Sequence, residues 1–144
     1  MRTPVCLAAL VILFGCPGSS NSPQPSVIAL QDVAAAHAPH GKAQIQVLAE
    51  GQHAFFGRLE LEPHAAVPLH RDASEETIFV LEGSGVLTID GQEYPVQAGT
   101  TAFMPALAQV HYQNGPTRLV ALQIFAGANS QRKYDNWSAK SPKP

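Results

Sequence analysis

The chain has 144 residues, a formal net charge of −2, 14% charged residues and 45% hydrophobic ones. That is room for one domain with a packed core, and nine Lys and Arg spread thinly, without a basic run, exclude a nucleic-acid surface. Twelve Pro and eleven Gly, lying mostly between short apolar runs, favour many turns and therefore many short strands.

Met1-Arg2-Thr3 is a short positive start. Val5 to Phe14 is an apolar stretch of about ten residues, too short to span a bilayer and of the length of a signal-peptide core. Leu13-Phe14-Gly15-Cys16 resembles a bacterial lipobox. The resemblance implies a signal peptide over 1–15 and lipidation of Cys16, which would anchor the exported protein to a bacterial cell membrane, in the periplasm or at the cell surface. The alternative is an ordinary signal peptide that happens to contain a cysteine. Cys6 and Cys16 are the two cysteines, so cleavage before Cys16 would leave a mature chain with no disulfide and a core that must hold the fold alone. Residues 16–41 then read as the lipidated Cys and a flexible linker. Pro17 to Gln31 is rich in Pro, Ser and Asn, and Ala34-Ala35-Ala36 suggests one helical turn.

From 42 to 127 the pattern is strands. Ile45 to Ala49 alternates weakly, and Phe55 to Leu61 alternates clearly, with Phe55, Leu59 and Leu61 on one face. Thr77 to Leu81 is β-branched and aromatic, and Gly83-Ser84-Gly85 is a turn. Val86 to Ile89 leads through Asp90-Gly91, a two-residue hairpin signal, into Glu93 to Val96. Gly99 marks a turn. Thr101 to Met104 ends at Pro105, Val110 to Gln113 precedes Asn114-Gly115-Pro116, and Arg118 to Phe125 is the last long apolar run. Roughly eight or nine short strands without a long amphipathic helix predict an antiparallel barrel or jelly roll. The tail, 128–144, is polar. Its Tyr134 and Trp137 either fold back onto the barrel, stay loose, or dock a partner.

The segment from His70 to Gly83 carries the most chemistry. His70 and Asp72 are two residues apart, so on a strand both point to one side. Glu76 opens the next strand after a short polar loop and can converge on the same point. One imidazole and two carboxylates suit Fe(II), Mn(II), Ni(II) or Zn(II), and two close carboxylates inside a barrel are costly unless a cation or proton compensates them. The bland alternative is a barrel-mouth His70 beside a solvated acidic loop.

His70, Asp72, Glu76 and Gly83 stand at the spacing of the first cupin motif, and Gly99, Pro105 and Asn114 resemble the second. The chain is accordingly identified as a member of the cupin superfamily. The resemblance implies a double-stranded β-helix, an all-β jelly-roll barrel, with a divalent transition metal held by His70, Asp72, Glu76 and His111. Two positions depart from the pattern: Asp72 stands where the motif has His, and Val110, not His111, lies at the spacing of the last ligand. A strand through this segment puts Val110 and Tyr112 on one face and His111 and Gln113 on the other, so His111 reaches the site only through a longer loop or a bulge.

Two functions stay open. One is a metal-dependent enzyme acting on a small molecule, dioxygenase-like or isomerase-like, with Arg58 or Tyr112 orienting the substrate. The other is a non-catalytic cupin with a degenerate metal site that binds a small ligand or serves as a structural unit, with a homodimer through the sheet in either case. His53 shares the parity of Phe55 and is a candidate barrel-lining residue, His64 falls in a turn, and His37 and His40 precede the barrel.

Overall fold

The computed structural model describes residues 24–127, 130 and 133–138. The leader over 1–15, Cys16 and the other tail positions lie outside the described residues. Among the described residues no helix is long and apolar enough to cross a membrane.

A 3₁₀ turn, Leu30–Asp32, leads into ten strands: β1 (Ala35–His37), β2 (Ala43–Glu50), β3 (Ala54–Leu61), β4 (Ala66–Arg71), β5 (Glu75–Glu82), β6 (Ser84–Ile89), β7 (Gln92–Gln97), β8 (Thr101–Met104), β9 (Gln109–Asn114) and β10 (Leu119–Ala126). They form two antiparallel sheets, a six-stranded one in the order β1-β2-β3-β10-β5-β8 and a four-stranded one in the order β4-β9-β6-β7. This is the all-β jelly roll that the turn-rich sequence predicts.

The alternation read in β3 is real: Phe55, Gly57, Leu59 and Leu61 are buried and the residues between them are not. Their inner face meets Val80 and Met104 on the same sheet and Leu87, Val96, Val110 and Tyr112 on the other, in one core. At the hairpin between β6 and β7, Asp90 (φ 49°) and Gly91 (φ 85°) both take the left-handed region, as the turn type with two positive φ angles requires.

Two expectations are corrected. Ala34-Ala35-Ala36 is not a helical turn: Ala35–His37 is a strand, paired with β2 through Ala36↔Ile45. Three short residues gain one sheet ladder there, whereas one isolated helical turn has a costly nucleus and little to pack against. The linker read over 16–41 therefore ends earlier than expected, since residues 35–37 belong to the sheet. Of the readings left open for the tail, residues 133–138 fold back onto the barrel. Tyr134 and Trp137 rest against the core, and Ser138 closes a two-way backbone pair with His37, at 2.7 and 3.1 Å. The Tyr134 ring lies 5.4 Å from Phe55 and 4.7 Å, edge-on, from Trp137.

Candidate metal centre

β4 is an edge strand, and its pairing with β9 shifts between Val67 and His70. Val67 faces Tyr112 and His70 faces Val110, so three steps along β4 match two along β9. One extra residue is thus inserted at Pro68-Leu69. Proline lacks the N–H a ladder needs and is tolerated at such a bulge on an edge. The insertion has a consequence for chemistry: Val67 and His70 both line the barrel cavity, while Leu69 is turned out and is 60% exposed. On a regular strand, residues three apart would face opposite sides.

Asp72 follows the end of β4. Its carbonyl accepts the Leu107 N–H at 2.6 Å, and the Arg71 guanidinium donates to the Leu107 carbonyl, so the β8–β9 loop holds this corner in place. Glu76 comes from β5, on the inward parity it shares with Ile78 and Val80. One donor atom from each of His70, Asp72 and Glu76 lies within 4.8 Å of the other two, and His70 Nε2 is 3.6 Å from Asp72 Oδ2.

The orientation of the imidazole follows from its other contact. His70 Nδ1 is 2.8 Å from the carbonyl oxygen of Pro68. A carbonyl only accepts, so Nδ1 carries a proton and Nε2 is the nitrogen that faces Asp72. Glu76 is buried, and that burial raises its carboxyl above the usual carboxylate range; the nearby Asp72 charge adds to this, while the Gln123 hydrogen bond and the charges of His70 and Lys133 oppose it. Gln123, from β10, donates from Nε2 to Glu76 Oε1 and accepts the Tyr134 hydroxyl at its Oε1. Lys133 pairs with Asp72 Oδ1 and stands 4.6 Å over the Phe125 ring.

These groups sit on a cavity of about 280 Å³. Elsewhere its wall is mostly aliphatic, with Leu59, Leu61, Val80, Leu87, Val110 and Leu119 among the lining residues. Tyr112 also faces in. Its hydroxyl donates to Asn114 Oδ1 at 3.3 Å, and burial pushes its pKa up to about 12.

The donor set fits a divalent transition metal. It offers one imidazole nitrogen and two carboxylate oxygens, converging in a half-buried site where two anions need a compensating cation. Three of the four expected ligands are brought together, and the fourth is corrected. Val110 and Tyr112 line the cavity while His111, register partner of Thr88 on β6, is on the opposite parity of β9 and outside the cluster. No bulge interrupts β9 at this point to restore it. Arg58 does not reach the cavity either: it is held by Gln46 at 3.2 Å and by Glu60. His53 and His64 are exposed, whereas His40 reaches the cavity rim. The sequence reading missed Gln123, Lys133 and Tyr134, because their link to the site runs through the fold and not through spacing.

Two antiparallel sheets facing each other across an apolar cavity with a His-Asp-Glu donor group define a small jelly-roll barrel with a candidate metal site. Residues 57–125 match the family model described as the cupin domain, and the chain belongs to the cupin superfamily. Over 74 residues it is 34% identical to a dimethylsulfoniopropionate lyase of Ruegeria pomeroyi, across 51% of this chain and 49% of that one; the chain spans about half the length of that curated relative. Among solved structures it is similar to an RmlC-like cupin from Shewanella frigidimarina, with TM-score 0.68 and 16% identity over 76% of this chain and 96% of that one. It is also similar to a predicted oxalate decarboxylase from Thermotoga maritima, with TM-score 0.65 and 22% identity over 71% and 99%. At these identities the two structures establish the shared fold.

Proposed function

We propose that this protein is a metal-dependent cupin enzyme that acts on a small carboxylate by proton transfer, as a lyase or isomerase does. The observation that carries the reading is the convergence of His70, Asp72 and Glu76 at one polar end of an otherwise aliphatic cavity. His70 Nε2 and one oxygen from each acid would hold the metal. When bound, such an ion supplies Lewis-acid polarisation of a substrate oxygen. The chain's own residues do the rest. The aliphatic wall excludes water and packs the carbon skeleton, and the cavity admits a molecule of roughly ten heavy atoms or fewer. Tyr112, whose hydroxyl proton goes to Asn114 Oδ1, presents its ring to the cavity as part of the wall. The likeness to the lyase favours proton transfer over the dioxygenase alternative.

The Leu13-Phe14-Gly15-Cys16 pattern supports export and a lipid on Cys16, so that the barrel works at a bacterial membrane surface.

The test is proton NMR in D₂O of metal-loaded protein with a panel of small carboxylates that includes dimethylsulfoniopropionate. Consumption, or deuterium uptake at the carbon beside the carboxylate, is expected, together with its loss in His70→Ala. A panel left wholly unchanged by metal-loaded protein contradicts the enzyme reading and leaves a binding barrel.

A further inference from the structure

Each of the three candidate ligands has one polar atom tied to a partner and another left towards the cluster. His70 gives Nδ1 to the Pro68 carbonyl and keeps Nε2. Glu76 gives Oε1 to Gln123 Nε2, which leaves Oε2. Asp72 gives Oδ1 to the Lys133 ammonium, while Oδ2 is the oxygen that faces His70 Nε2 at 3.6 Å. The outer partners of both acids lead to the same short stretch of chain: Lys133 binds Asp72 directly, and the Tyr134 hydroxyl binds Gln123 Oε1. That second contact orients the Gln123 amide, because with Oε1 accepting from Tyr134 it is Nε2 that must face Glu76.

We propose that the C-terminal segment, through Lys133 and Tyr134, is the outer shell of the metal centre, the two side chains acting as positioning residues that present Asp72 Oδ2 and Glu76 Oε2 to the ion. The inference rests on the metal reading above and extends it to residues beyond the matched domain of 57–125.

Three features support a built arrangement over a chance contact. The Lys133 side chain is 18% exposed, a low value for a residue type that is seldom buried without a partner, and its ammonium stands over the Phe125 ring. Tyr134 is packed between Phe55, Phe125 and Trp137, which fixes where its hydroxyl points. The segment is stitched to β1 by the Ser138–His37 backbone pair, so both side chains arrive from an anchored backbone. Ligating carboxylates held in this manner lose affinity when the outer partner is removed. Lys133 takes Asp72 Oδ1 and leaves Oδ2, the oxygen 3.6 Å from His70 Nε2, to the ion.

The experiment is calorimetric titration of the full chain with Mn(II), Co(II) and Zn(II) chloride, comparing wild type, Lys133→Met, Lys133→Arg, Tyr134→Phe and His70→Ala, with thermal unfolding of each metal-free protein alongside. Lys133→Met and Tyr134→Phe should each weaken binding by roughly 10- to 100-fold while unfolding cooperatively. Lys133→Arg, which keeps the charge and donors, should recover most of the lost affinity; a merely structural role would not discriminate Met from Arg in this readout. Binding by Lys133→Met that equals or exceeds wild type makes the ammonium a bystander or competitor and overturns the inference, with the metal centre intact if His70→Ala still loses the ion. Failure of the wild type itself to bind any of the three metals overturns the inference and the metal reading together.

Discussion

His70 and Val110 are register partners on β4 and β9, and both side chains face the same cavity. A fourth protein ligand would come from the Val110 position, and an isopropyl group stands there. Val110→His should therefore add a nitrogen donor to the three-residue group and tighten divalent-metal binding by about tenfold or more. His111→Ala, on the other parity, should leave the affinity within roughly twofold. Competition against a chelator of known affinity reads both. Loss of metal in His111→Ala would mean that β9 is turned by one residue in solution.

The extra residue at Pro68-Leu69 is what lets His70 face inward three residues after Val67. Deleting Leu69 leaves the two residues two apart, so plain alternation replaces the bulge and keeps His70 inward, opposite Val110. Because Leu69 is exposed, the core loses little. The expected result is a cooperatively folded barrel by circular dichroism whose metal affinity stays within about tenfold of wild type. Loss of the ion would show that the imidazole needs the bulged backbone itself and not only its inward parity.

Glu76 sets the pH dependence. Burial raises its folded-state pKa above the unfolded value, with the Asp72 charge adding to the effect. A group of this kind favours the native state fully below its unfolded pKa, and the contribution is lost as pH rises through the folded value. Metal-free protein should thus lose stability as the pH climbs out of the carboxylate range, and Glu76→Gln should remove that slope and be the more stable protein at neutral pH by roughly 1 kcal/mol. Metal uptake has the opposite trend, since the ion competes with the proton and should bind more tightly as pH rises through the same window. Unfolding midpoints with and without chelator between mildly acidic and neutral pH check both signs.

The proposed lipid anchor on Cys16 is separable from the barrel. Cys16→Ala should move the protein from the membrane pellet to the soluble exported fraction and leave the metal affinity of the barrel unchanged. A wild-type protein already soluble in that fraction would leave an ordinary signal peptide as the reading of residues 1–15.

What was legible in the sequence was whatever local spacing encodes. The Asp90-Gly91 hairpin, the alternation of Phe55 to Leu61 and the strand Thr101 to Met104 follow from backbone preferences and pleat. The triad of His70, Asp72 and Glu76 follows from a fixed run of seven residues. The parity argument also placed His111 with Gln113, away from Val110 and Tyr112, as found. The rest depended on distant chain. β4 shows no clean alternation because it is an edge strand with a bulge, its burial running irregularly from Ala66 to Arg71. Ala35, Ala36 and His37 became a strand because β2 lay beside them. Lys133 and Tyr134 reach the acids across roughly sixty residues of sequence, a distance over which periodicity carries no information, and the compensating cation anticipated for the two carboxylates has a resident counterpart in Lys133.

Anomalous diffraction from crystals grown with Mn(II) or Co(II) tests the centre most directly. The account predicts one strong peak about 2.0–2.2 Å from His70 Nε2 and from one oxygen each of Asp72 and Glu76. A crystal without that peak, with the three side chains turned apart, would contradict it.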